Sequence, residues 1–137
     1  MKIDVIFRLV LGLQLTLLVL SVVADSYSVA YLPEILQEYW YIEDQREMTD
    51  SEAMLFLFIY PLLLLYLASI VGLFFLKAWA KWLYIGTTVI MFFIVPFLGP
   101  TVEHAFVTTL GSLESLCVGF IFAVLLLTDT VPTAKYA

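Results

Sequence analysis

Glu114 is an acid in the middle of an apolar run, Ala105 to Thr128, in a chain of 137 residues. An ionised carboxylate at the centre of a membrane helix costs about 2.5–3.5 kcal/mol on insertion scales. The cost falls where the acid is protonated, paired or facing water, and such groups often mark proton or cation paths. At a rise of about 1.5 Å per residue, Glu114 lies ~13 Å from the Ala105 end of its run. By the same measure Gln14 lies ~15 Å from Ala24 on the first apolar run, and Thr88 lies ~15 Å from Leu98 on the third. The spacing predicts one polar layer built from Glu114, Gln14 and Thr87 or Thr88. Such a layer is either a proton or cation site or an interhelical hydrogen-bond clamp with Glu114 protonated. Arg8 is a poorer partner, because it lies ~24 Å from Ala24.

A second pattern shares the run with Glu114. Gly111, Ser115, Gly119 and Ala123 recur every four residues, flanked by Thr108 and Ser112. Small side chains at this spacing let two membrane helices approach closely. The ridge is either a face for another subunit or a packing surface within the same bundle. Ala68 and Gly72 offer a shorter counterpart on the second run.

The remaining polar residues point away from catalysis. The segment 25–52 holds eight acids (Asp25, Glu34, Glu38, Glu43, Asp44, Glu47, Asp50, Glu52) and one base, Arg46, a net of −7 against −6 for the whole chain. It lacks the alternating acids and glycine of a calcium loop, and reads as a solvated face or a docking surface for a basic partner. His104 beside Glu103 is one imidazole with one acid, too few ligands for zinc, and is expected to be an interfacial residue. Asp4 and Arg8, four apart, read as a helix-face pair. HExxH, CxxC, P-loop, GxGxxG and GxSxG motifs are absent, and Ser112 and Ser115 have no histidine at matching depth. The sequence therefore predicts no catalytic residue, no metal site, no cofactor and no enzyme activity.

The elements that position these residues follow from composition. Hydrophobic residues make up 64% of the chain and charged residues 13%, against about 45–50% and about 25% in soluble domains. With a mean hydropathy of +1.06, the chain needs lipid as its solvent. Four apolar runs, about 6–24, 53–76, 82–98 and 105–128, are expected to be helices, because lipid satisfies no backbone amide. The class expected is all-α, a four-helix transmembrane bundle forming one domain over 1–137. Lys2, Arg8 and the Val22-Val23-Ala24 sequence would also fit a signal peptide, but three further spans favour a retained first helix.

Basic residues set the orientation. Lys2, Arg8, Lys77, Lys81 and Lys135 fall on one side and only Arg46 on the other, which places both termini in the cytoplasm and the acidic loop outside. Trp79, Trp82 and Tyr84 are then expected at the inner boundary, and Tyr27, Tyr31, Tyr39, Trp40 and Tyr41 at the outer one. Pro33 suits the first turn of a helix running to about Glu43. Leu32, Ile35, Leu36, Tyr39 and Trp40 share one face of it, so this segment either lies on the outer leaflet or caps the bundle. Thr49 to Glu52 reads as a capping box opening the second span. Pro61 and Pro96 are expected to kink or end their helices, and Gly99-Pro100 to turn the chain after the third.

The single cysteine, Cys117, excludes an intrachain disulfide, and the chain has no asparagine for N-glycosylation. Both features lean towards a bacterial inner membrane. The expected function is helix–helix association, as a homo-oligomer or as an accessory or regulatory subunit of a membrane complex. The alternative is a small oligomeric transporter or channel with a proton or cation site at Glu114. The partners expected are the lipid bilayer and a second membrane protein, not nucleic acid, since the chain outside the acidic loop is nearly neutral.

Overall fold

The computed structural model describes residues 3–98 and 103–128. The class is all-α, with five helices and no strand among the described residues: α1 (Ile3–Ser28), α2 (Glu34–Gln45), α3 (Asp50–Phe74), α4 (Ala78–Ile94) and α5 (Ala105–Leu127). All except α2 are long and apolar enough to cross a membrane. The 25 residues of α3 extend ~37 Å, enough for a hydrocarbon core of ~30 Å with some tilt. These helices identify an integral membrane protein. The many exposed Leu, Val and Phe side chains of these four helices then face lipid.

Each helix end has a local cause. Thr49 caps α3 as the sequence predicts: its side chain accepts from the Glu52 amide, and the Glu52 carboxylate accepts from the Thr49 amide at 2.8 Å. His104 caps α5, with Nδ1 accepting from the Phe106 amide at 3.2 Å. The helix α3 continues through Pro61 without a break in its assignment. At Pro96 the chain leaves α4 through the 3-10 turn Val95–Phe97. The first span is longer than the predicted 6–24, running on through Asp25, Ser26 and Ser28, whose two serine hydroxyls bond back to the Val22 and Asp25 carbonyls. The third begins at Ala78 rather than Trp82, because the chain re-enters a helix directly after Lys77.

The turn between α3 and α4 is tight. Lys77 donates its amide to Gly72 O and Leu76 donates to Leu73 O, both at 2.9 Å, the paired bonds of a Schellman motif. That motif needs a left-handed residue, and Leu76 supplies it with φ 54. A left-handed non-glycine residue costs about 1–2 kcal/mol. Leu76 offsets the strain by packing, half-buried, against the core.

The helices form two antiparallel pairs, α1 along α5 and α3 along α4, which meet mainly through α1 and α3. We call the end carrying the α3–α4 turn the turn end and the end carrying α2 the loop end. At the turn end all four long helices share a core in which Phe7, Leu73, Ala80, Tyr84 and Ile121 are wholly buried. Towards the loop end the core narrows to Leu17, Leu110 and Cys117, from α1 and α5 alone. The side chain of Asp4, the Gly99-Pro100 turn, and Lys2 and Lys135 lie outside the described residues, so the expectations resting on them have no structural counterpart here.

Gly72 sits where α3 and α4 touch: a Cβ there would meet Ala80 Cβ at 2.6 Å and the Trp79 ring at 2.8 Å. A Cβ at Gly119 would meet nothing within 4 Å. Gly72→Val is therefore expected to lower stability by about 1–3 kcal/mol, and Gly119→Val to leave the fold of the chain unchanged. Resistance to SDS in mixed micelles measures both.

Candidate functional site

Gln14 is the wholly buried polar side chain of α1, placed on its inward stripe between Leu11 and Leu17. Its Nε2 donates to the Tyr66 hydroxyl of α3, and its Oε1 accepts from the Tyr84 hydroxyl of α4 at 3.3 Å. Among the described residues these are the side chain–side chain hydrogen bonds that join one membrane helix to another. A primary amide suits the position because it carries a donor and an acceptor on one rigid plane. The two phenol rings stack, with centroids 5.5 Å apart and planes inclined by 26°. Ser69 Oγ donates to the Tyr66 carbonyl at 2.6 Å, so that polar group in the core is also satisfied.

Glu114 lies on the inward stripe of α5, between Leu110 and Cys117, and is half-buried. It lies one helical turn from the buried Cys117. No hydrogen bond or ion pair of its carboxylate is found among the described residues. The acid is therefore turned towards the bundle yet left without a direct partner.

The predicted layer is thus assembled from different residues on α4. Tyr84 supplies the hydroxyl, one turn nearer the turn end than Thr88. Thr87 is buried but bonds back to its own helix, to the Leu83 carbonyl at 2.8 Å and the Tyr84 carbonyl at 3.1 Å. Thr88 Oγ1 is buried and has no hydrogen-bond partner, as is Ser21 Oγ on α1. Neither threonine reaches Gln14 or Glu114. Tyr84, placed at the inner aromatic boundary by sequence reasoning, is wholly buried instead, whereas Trp79 and Trp82 are exposed. Helical phase carries the signal that would have separated them: Ala80, Tyr84 and Thr87 share one stripe. Tyr66 was missed altogether, although it shares the stripe of Ser69, Ile70 and Leu73.

The small-residue ridge lies on the other side of α5 from its buried stripe. Gly111 is half-buried, Ser115, Gly119 and Ala123 are exposed, and a Cβ at Gly111 or Gly119 would meet nothing within 4 Å. Among the described residues no helix covers the ridge. Ser115 and Gly119, with Val118 and Phe122, form one wall of a groove of about 540 Å³, whose other wall is Thr88, Val89, Phe92 and Phe93 of α4. The counterpart Gly72 of α3 faces α4 instead and is buried.

At the loop end Arg46 bridges Glu43 of α2 at 2.8 Å and Glu52 of α3 at 2.6 Å. Hydrogen bonds to Glu52 and then Glu43 raise the guanidinium pKa above its usual value, so the base stays charged at any accessible pH. Among the described residues no group of three or more metal-ligating side chains comes together. The chain matches no family model, no curated protein sequence and no solved structure.

The amide bridge yields a measurable coupling. Interhelical hydrogen bonds in membrane proteins contribute about 0.6 kcal/mol on average and about 1.7 at most. A double-mutant cycle of Gln14→Leu and Tyr66→Phe is expected to give a coupling in that range, read from SDS unfolding. The same cycle between Gln14→Leu and Thr87→Val is expected to give none.

Proposed function

We infer that this protein is a small non-catalytic membrane protein that works by lateral association of helices. It acts as a homo-oligomer or as an accessory or regulatory subunit of a larger membrane complex. The observation that carries this reading is the uncovered ridge Gly111, Ser115, Gly119, Ala123. In lipid, burial of apolar surface does not drive helices together; close packing of small residues does. A ridge of that kind, lining an open groove between α4 and α5, suits a helix from another chain. The charge pattern supports the bacterial inner membrane, with both termini cytoplasmic and the acidic segment on the far side.

The size of the purified protein in mild detergent tests the reading. The wild type is expected to run as an oligomer, or to co-purify with a defined membrane partner. Gly119→Leu is expected to lose that association while keeping its helicity and its SDS resistance. A wild type that is monomeric and partnerless, or a Gly119→Leu variant of unchanged size, would refute it.

A second reading rests on Glu114, an acid without a direct partner beside three buried polar side chains from three other helices. In that reading oligomers carry protons or cations past the carboxylate. Flux into proteoliposomes that disappears in Glu114→Gln supports it; equal flux in the two proteins, or none in either, removes it.

A further inference from the structure

The helix α2 buries no residue of its own. It packs on the 3-10 turn Val29–Tyr31, and Glu43 and Asp44 in its last turn border a cavity of about 340 Å³ shared with Leu55 and Phe56 of α3 and with Phe97 and Leu98. Its apolar side is only partly used. Leu36 and Trp40 are half-buried, while Ile35, Tyr39 and Ile42, at positions i, i+4 and i+7, are 75%, 44% and 64% exposed. Residues at that spacing share one face of a helix.

The depth of this face is fixed at both ends. The chain leaves α1 at Ser28 and enters α2 after one 3-10 turn. It leaves α2 for α3 across residues 46–49, a link that reaches ~14 Å at most. Arg46 shortens that reach further by pairing with Glu43 on α2 and Glu52 in the first turn of α3. The apolar run of α3 starts one residue later, at Ala53, so the ion pair holds α2 at the level where hydrocarbon gives way to headgroups. Tyr27 and Tyr31, 72% and 76% exposed at the end of α1, continue the surface. Rings with an apolar body and a polar tip favour that layer.

We propose that α2 is a membrane-surface helix, with Ile35, Tyr39 and Ile42 seated in the leaflet at the loop end, and that the surface it takes is zwitterionic lipid. The second half of the statement rests on charge. The segment 25–52 carries eight acids, four of them on α2 itself, and its one base, Arg46, is already paired. An anionic leaflet repels such a segment over about one Debye length, while neutral headgroups do not.

Nitroxide labels on single cysteines in a Cys117→Ser background test the proposal, with the protein in phosphatidylcholine vesicles. The sites are Ile35, Tyr39 and Ile42, compared with Glu34 and Asp44, which lie off that face. The ratio of oxygen accessibility to nickel-chelate accessibility is expected to be several-fold higher at the first three. Raising phosphatidylglycerol to half of the lipid is expected to lower that ratio at 35, 39 and 42 towards the value at 34. Equal ratios at all five sites would mean that α2 stands in water. Shielding of 35, 39 and 42 from both reagents would mean that protein covers the face. Either result overturns the proposal, and a ratio indifferent to phosphatidylglycerol overturns its choice of lipid. Circular dichroism of each labelled protein confirms that the helices persist.

Discussion

One amide holds the two halves of this protein in relation to each other. The pairs α1–α5 and α3–α4 touch along few positions, and lipid gives them little reason to prefer each other over acyl chains. Gln14 changes that balance by bonding to a phenol on each helix of the opposite pair. In hydrocarbon an amide without partners is costly, so the bridge selects one rotation of α1 among many that packing alone would accept. The stacked rings of Tyr66 and Tyr84 complete the selection, because their hydroxyls meet one polar side chain only when the rings are aligned.

That bridge also divides the bundle into a tight part and a loose part. On the turn-end side, Phe7, Leu73, Ala80 and Ile121 from four helices are wholly buried in one core. On the loop-end side the contacts thin to α1 with α5, and α4 and α5 leave a groove. Glu114 sits near the change between the two, which explains how an inward-facing acid keeps part of its surface free. The covered Gly72 and the uncovered Gly119 mark the same asymmetry in the small residues: one closes a hairpin and the other looks outward.

Much of the fold was legible because lipid imposes simple rules. Run length gave the four long helices, Thr49 and Glu52 announced the start of α3, and Pro33 with its following pattern announced α2. Boundaries were less legible where polar residues bond back to the helix, as Ser26 and Ser28 do, or where a leucine takes a turn position that glycine usually fills. The site was half legible. Gln14 and Glu114 stood out as polar groups in apolar runs. The tyrosines did not, since a tyrosine in a membrane segment reads as a boundary residue until its helical phase is compared with its neighbours. Depth alone chose Thr88, and phase would have chosen Tyr84.

The strained turn at Leu76 has a consequence for how the protein is made. A connection with two backbone bonds and no slack lets α3 and α4 enter the bilayer as one hairpin. Tyr66 and Tyr84 are then already face to face, brought together by their own turn. Gln14 comes to them from 52 and 70 residues away along the chain, and contacts of short separation close first. The nascent hairpin thus presents a finished receptor, and α1, although it precedes the hairpin along the chain, is locked in place after it.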